Sequence, residues 1–196
     1  MLQEIKIGNI STSKVELVEL AKAWIAISIA FGVAMGGFSL GADFLLRIAL
    51  AAVTVGVGFL FHELAHKVVA QRYGCFAEFR AFDMMLILAV AFSFIGFIFA
   101  APGAVMIAGQ VTRRENGLIS AAGPWMNIVL ALVFFGLSFI FPALGIVWQY
   151  GFAVNSWLAL FNMIPFFIFD GEKIFRWDVR IWGATTAVAA ALVFLF

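Results

Sequence analysis

The sequence predicts an all-α polytopic membrane protein with about six transmembrane helices. Three observations lead to this fold class. Hydrophobic residues make up 65% of the 196 residues and charged residues only 12%, whereas a soluble domain is roughly half apolar and a quarter charged. The apolar residues form runs close to the roughly 20 residues that a spanning helix needs. Gly and Ala are frequent, and small side chains let helices pack closely in lipid.

The predicted elements follow from the order of polar and apolar segments. Residues 1–19 carry charges of both signs and lack a compact apolar core with a small-residue cleavage site. We therefore expect a polar N-terminal segment outside the membrane or at its surface, and not a cleaved signal peptide. The candidate spans after it are 20–40, 44–73, 84–101, 117–141, 144–169 and 181–196.

The charges exclude some functions and leave the orientation open. The net charge is +1 and no basic stripe is present, which argues against a nucleic-acid partner. Lys and Arg divide evenly between the two predicted sides, so the positive-inside rule does not decide the topology. Cys75 is the single cysteine, so no intrachain disulfide is possible.

The two histidines carry the strongest functional signal. His62 and His66 lie four residues apart, and Glu63 follows the first of them. On a helix, both imidazoles project from one face, which is the spacing of a zinc-binding helix. Glu63 then lies beside the metal, where it can accept a proton from bound water. The alternative is a buried polar pair satisfied by neighbouring helices, but ionisable groups at membrane depth are usually functional.

A third protein ligand must be a carboxylate or Cys75, because the chain has no third histidine. Asp170 is the best placed, since it follows a long apolar run in which Pro165 breaks the helix. Gly171 after it permits a sharp backbone turn. Alternatively, Asp170 is a helix-end charge at the membrane interface. The other carboxylates considered are Glu4, Glu16, Glu19, Asp43, Glu78, Asp83 and Glu115.

These segments together resemble the site-2 protease family of intramembrane metalloproteases. The His-Glu-Leu-Ala-His segment at 62–66 matches the zinc helix of that family, and Asn162-x-x-Pro165-x-x-x-x-Asp170-Gly171 matches its second motif. The resemblance implies that Asp170 is the third zinc ligand and that Asn162 helps to bind substrate or the oxyanion. A helix–helix hydrogen bond is the alternative role for Asn162. Residues 121–127 resemble the Gly-Pro-containing helix that packs between the two motifs.

The resemblance implies an intramembrane protease domain at 20–196, located in the cell membrane. This domain would use one zinc ion. Its partners would be the lipid bilayer and a transmembrane protein or peptide substrate. Residues 101–107 resemble a membrane-associated β segment near the active site, whose edge could pair with an extended substrate. Two features depart from the family pattern. The run 166–169 replaces its usual proline, and the apolar segment 84–101 is longer than a minimal member needs.

Two other functions fit part of the pattern. A different membrane protease with the same histidine motif, such as a prenyl-protein endopeptidase, would usually recruit another Glu or His downstream. A metal transporter or sensor would use His62 and His66 as a relay site. Transporters are expected to carry several intramembrane acids on different helices, and this chain offers mainly Glu63 and Asp170.

Overall fold

Helices dominate the fold, which we describe from a computed structural model covering residues 4–8, 10–98 and 102–195. Two short two-stranded sheets accompany the helices. The strands are β1 (Glu4–Ile7), β2 (Ile10–Ser13), β3 (Phe76–Ala81) and β4 (Gly103–Ala108). The helices are α1 (Lys14–Ala34), α2 (Ala42–Ala51), α3 (Val57–Arg72), α4 (Asp83–Ser93), α5 (Arg113–Ile140), α6 (Gly145–Asn162), α7 (Asp170–Trp177) and α8 (Val179–Phe194).

Four helical stretches in the described part of the chain are long and apolar enough to cross a membrane: Lys14–Ala34, Ala42–Arg72, Arg113–Ile140 and Pro142–Asn162. The helices α4 and α8 are apolar but shorter. Large apolar side chains such as Val129, Leu132 and Phe139 are exposed on α5, as expected for a surface in lipid. These features confirm the predicted all-α membrane fold with a short β segment.

The number of membrane crossings stays a prediction. The expected span at 84–101 is helical as α4, which ends at Ser93, and residues 99–101 lie outside the described residues. The expected span at 181–196 is covered by α8, which begins at Val179, and residue 196 also lies outside the description. At about 1.5 Å per residue, α4 is too short to cross a bilayer as a helix by itself.

The chain divides into two compact units, which we describe separately. The first comprises the described residues of Met1–Leu60 and Ala77–Met106. In it α1 packs against α2 and α4. The strands β1 and β2 pair in antiparallel register, with Ile7 opposite Ile10, so part of the predicted polar N-terminal segment is a hairpin. Ser13 then caps α1 by accepting the N–H of Glu16.

A π-helical turn, Ala52–Gly56, connects α2 to α3 within one continuous helical stretch. Trp24 of α1 donates its indole N–H to the carbonyl oxygen of Ala52, at 3.0 Å. A Cβ at Gly56 would lie 2.4 Å from Nε1 of the same tryptophan. Glycine is therefore required at this position for Trp24 to reach the turn. Turns of this kind often occur next to functional sites.

The second unit comprises Phe61–Phe76 and the described residues of Ile107–Phe196. In it α5 packs against α6 and α7, and α8 packs against the same two helices. Thr112 and Glu115 form a capping box that begins α5. A small buried core of Ala121, Met163 and Ile174 joins α5, the end of α6 and α7.

The segment 163–169 leaves the helical path between α6 and α7, as the break predicted at Pro165 requires. The predicted sharp turn at Gly171 is wrong, because Gly171 lies within α7 and the residue of this segment with positive φ is Phe167, at 59°. Gly171 instead allows a close approach of two backbones. A Cβ there would lie 2.3 Å from the carbonyl group of Met163.

Candidate metal centre

The helix α3 places its two histidines as the four-residue spacing predicts. His62 and His66 lie on one face, with their Nε2 atoms 3.0 Å apart. The imidazole rings meet edge to face, with centroids 4.6 Å apart. Both side chains are buried. The two ring nitrogens are therefore held close enough to bind the same ion.

The first residue of α7 completes the group. Asp170 is buried, and its Oδ2 lies 3.3 Å from Nε2 of His62 and 3.1 Å from Nε2 of His66. The ligand atoms of the three residues all lie within 4.8 Å of one another. The three are thus positioned to hold one metal ion, which confirms the prediction of a single-ion site.

The geometry and the donors of this cluster fit zinc. Two ligand atoms bound at 2.0–2.2 Å to a tetrahedral zinc ion are separated by about 3.3–3.6 Å, and the two imidazole–carboxylate separations here are 3.3 and 3.1 Å. Nδ1 of His66 lies 2.7 Å from the carbonyl oxygen of Ile119. Because that oxygen can only accept, Nδ1 carries the proton and Nε2 presents a lone pair. In a neutral His66 this lone pair faces Oδ2 of Asp170, an arrangement that a bound metal ion would stabilise.

The helix α5 forms the wall behind the histidines. A Cβ at Gly123 would lie 2.5 Å from Nε2 of His62 and 2.5 Å from Nε2 of His66. Glycine is needed here because any larger side chain would occupy the space of the imidazoles. Since α5 also packs against α7, the helix that carries the Gly-Pro segment at 121–127 contacts both the histidines and the helix that begins at Asp170.

Glu63 and Asn162 lie outside the converging set. Glu63 is buried on α3 directly after His62, but in the described part of the chain the clustered ligand atoms belong to the other three residues. Asn162 is the last residue of α6, and its Nδ2 donates to the carbonyl oxygen of Leu158 at 2.9 Å. The roles of base and oxyanion donor therefore stay predictions.

Most carboxylates that competed with Asp170 have other partners. Glu16 accepts the N–H of Phe79 at 2.9 Å. Lys22 pairs with both Glu19 and Asp83. Glu78 pairs with Arg80, and Glu115 caps α5. None of these belongs to the cluster of metal-ligating atoms found among the described residues.

Sequence reasoning did not assign a role to Asn127 or Asn155. Asn127 is fully buried on α5, and its Oδ1 lies 2.6 Å from Nδ1 of His62. Asn155 is fully buried on α6, and its Oδ1 accepts from Nδ2 of Asn127 at 3.0 Å. The available signal was an amide side chain inside each of two largely apolar spans. That signal does not say which neighbour each amide faces.

Comparison with known proteins identifies the family. A protein of Methanocaldococcus jannaschii named "Putative zinc metalloprotease" is 42% identical to this chain over 176 residues. The alignment covers 87% of this chain and 88% of the relative. The chain belongs to this family of zinc metalloproteases. No protein-family profile matches this zinc metalloprotease sequence, and no solved structure matches it.

Two imidazoles and one carboxylate form a donor set typical of a zinc metalloprotease. Catalytic zinc sites commonly have three protein ligands and keep a further position for water or substrate. His62, His66 and Asp170 supply such a set from two helices. The family and the donor set thus both support zinc as the metal.

Proposed function

We propose that this chain is an intramembrane zinc metalloprotease of the site-2 protease kind. It would hydrolyse peptide bonds within or near transmembrane segments of membrane-protein substrates in the cell membrane. The observation that carries the proposal is the convergence of His62, His66 and Asp170, which brings the two motifs of that family to one point.

The position of the histidines supports action at membrane depth. Both belong to the candidate span Ala42–Arg72, in which the most apolar 18-residue stretch has a mean hydropathy of 2.2. Charged and polar groups are costly within a bilayer unless they serve a function and are shielded by protein. The three ligands of the proposed site are all buried, as expected of a site shielded in this way.

The chemistry follows from the side chains around the ligands. His62, His66 and Asp170 would hold the zinc ion, which when bound supplies the positive charge that acidifies water and polarises a peptide carbonyl. Glu63 accepts the proton of the attacking water and later donates it to the leaving amine. One N–H of the Asn162 amide is used by Leu158. The second N–H of this amide is then the donor to the developing oxyanion.

A helical substrate must be extended before cleavage, because its carbonyl groups are otherwise hydrogen-bonded within the helix. The strand β4 pairs with β3 in a sheet that contains two strands among the residues described. A two-stranded sheet has outer edges to which an extended peptide can add. We assign the binding of the extended substrate to the edge of β4, as the sequence predicts for residues 103–107.

The function is tested with purified protein in lipid vesicles. We expect one zinc ion per chain and cleavage of a transmembrane peptide that stops on chelation and resumes when zinc is returned. His62→Ala serves as the matched variant, with neither zinc nor cleavage. Ion flux across the vesicle membrane without proteolysis would contradict the proposal and favour the transporter instead.

A further inference from the structure

A chain of three hydrogen bonds leads from α6 to the first histidine. Nδ2 of Asn155 donates to the carbonyl oxygen of Gly151 at 2.8 Å. Nδ2 of Asn127 donates to Oδ1 of Asn155 at 3.0 Å. Oδ1 of Asn127 lies 2.6 Å from Nδ1 of His62. Both asparagines are fully buried, at 0% exposure, so water does not compete for these contacts.

The direction of every bond in this chain is determined by its far end. A backbone carbonyl oxygen can only accept, so the amide nitrogen of Asn155 must face Gly151 and its oxygen must face Asn127. The amide nitrogen of Asn127 therefore faces Asn155, and its oxygen faces His62. That oxygen also can only accept.

The consequence for His62 concerns its tautomer. Because Oδ1 of Asn127 accepts, Nδ1 of His62 must carry the ring proton. A neutral imidazole carries one such proton, so Nε2 is left with its lone pair. Nε2 is the atom that lies 3.0 Å from His66 and 3.3 Å from Asp170. A reversed Asn127 amide would place an N–H against Nδ1 and force the proton onto Nε2.

We propose that Asn127 and Asn155 are positioning residues that hold His62 in its metal-binding tautomer, with Asn155 acting through Asn127. The inference rests on the proposed function, since it takes His62 to be a zinc ligand. Groups that orient metal-binding histidines typically contribute 10–100-fold to metal affinity. The role differs from packing because it depends on which way the Asn127 amide points.

A pair of substitutions separates this role from packing. Asn155→Ala removes the oxygen that accepts from the Asn127 amide N–H, so zinc should bind about 10–100-fold more weakly, although no hydrogen bond of this chain joins Asn155 to His62 directly. In an Asn127→Asp background both side-chain oxygens accept, so reversal changes nothing. Adding Asn155→Ala there should not weaken zinc binding any further, because it removes only an oxygen that faces the new carboxylate.

The matched control is Ser156→Ala. Ser156 is also fully buried on α6, and its hydroxyl donates to Phe152 of the same helix at 2.8 Å. Its loss should leave the zinc Kd at the wild-type value. Asn155→Leu repeats the test in both backgrounds with an apolar side chain that has the same branching, in case the alanine variant does not fold.

Competition with a chelator measures the zinc Kd of the apo protein in detergent. In the same apo state, ¹⁵N NMR of labelled histidine reports the tautomer of His62. We expect Asn155→Ala to weaken binding and to move the ring proton toward Nε2. An unchanged zinc Kd in Asn155→Ala, or an equal loss of zinc affinity in both backgrounds, would overturn the role proposed for the two asparagines. If His62→Ala also bound zinc like the wild type, the proposed metal site itself would fail, which is a separate result.

Discussion

Nε2 of His66 lies 3.1 Å from Oδ2 of Asp170, so α3 and the first residue of α7 present ligand atoms to one point. The position of Asp170 next to His66 depends on the path of the chain before α7. Gly171 allows the start of α7 to contact the backbone of Met163, and Trp182 donates to the Met163 carbonyl oxygen at 2.7 Å. The end of α6 and the start of α7 thus position the third ligand.

Replacing Asp170 with Asn should weaken zinc binding by more than the roughly 10–100-fold typical of groups that only orient ligands. The amide lacks the negative charge that offsets the charge of the metal. Zinc content after dialysis and the Kd from chelator competition measure the effect. Asp178→Asn is the control, because Asp178 caps α8 and Asn is an equally good N-cap. Zinc content at the wild-type level in Asp170→Asn would mean that another residue is the third ligand.

Replacing Glu63 with Gln should lower the cleavage rate about 10²–10⁴-fold, the usual contribution of a general acid–base group. Zinc content should not change, because Glu63 lies outside the cluster of ligand atoms. Glu115→Gln removes a carboxylate from the same unit but retains the capping box, in which Gln also serves. Full cleavage by Glu63→Gln would remove Glu63 from the reaction.

Replacing Gly123 with Ala should reduce zinc binding while α5 stays helical. The added Cβ would lie 2.5 Å from both Nε2 atoms, and hydrogen bonds to Ile119 and Asn127 hold the imidazoles in place. Gly136→Ala is the control on the same helix, because nothing lies within 4 Å of its Cβ position. Equal zinc affinity in the two variants would contradict the close packing described for α5.

Replacing Gly56 with Ala should destabilise the protein by about 1–3 kcal/mol, the usual cost of overpacking a core. The new Cβ would lie 2.4 Å from the Trp24 indole nitrogen, which would separate Trp24 from the carbonyl of Ala52. Thermal unfolding in detergent measures this effect, with Gly183→Ala, whose Cβ would meet nothing within 4 Å, as the control. A transition temperature as high as that of the control would show that the π-helical turn does not need the glycine.

Local periodicity was sufficient to predict the histidine pair, because a four-residue spacing has one consequence on a helix. Asp170 is different, because its local sequence is compatible both with a metal ligand and with a helix-end charge at the membrane interface. Only the resemblance of its motif favoured a ligand. The contact between α3 and α7 is a tertiary feature that no local pattern encodes.

Two other features show where the prediction stopped. The hairpin of β1 and β2 had a local signal, since the turn residues Gly8-Asn9 follow a run, 4–7, that alternates polar and apolar residues. Because residues 1–19 are polar overall, they are predicted only as a polar segment and not as a hairpin. Gly171 was interpreted as a turn residue, but it serves a close backbone contact within a helix. Sequence does not separate these two uses of glycine.

The most direct test of the central claim is the position of the cut in a transmembrane substrate. The substrate would be reconstituted with the protein in lipid vesicles, and the product termini would be identified by mass spectrometry. We predict a zinc-dependent cut within or beside the apolar segment, absent with Glu63→Gln. Cuts confined to the water-exposed parts of the substrate, or cleavage that continues in Glu63→Gln, would contradict an intramembrane zinc protease.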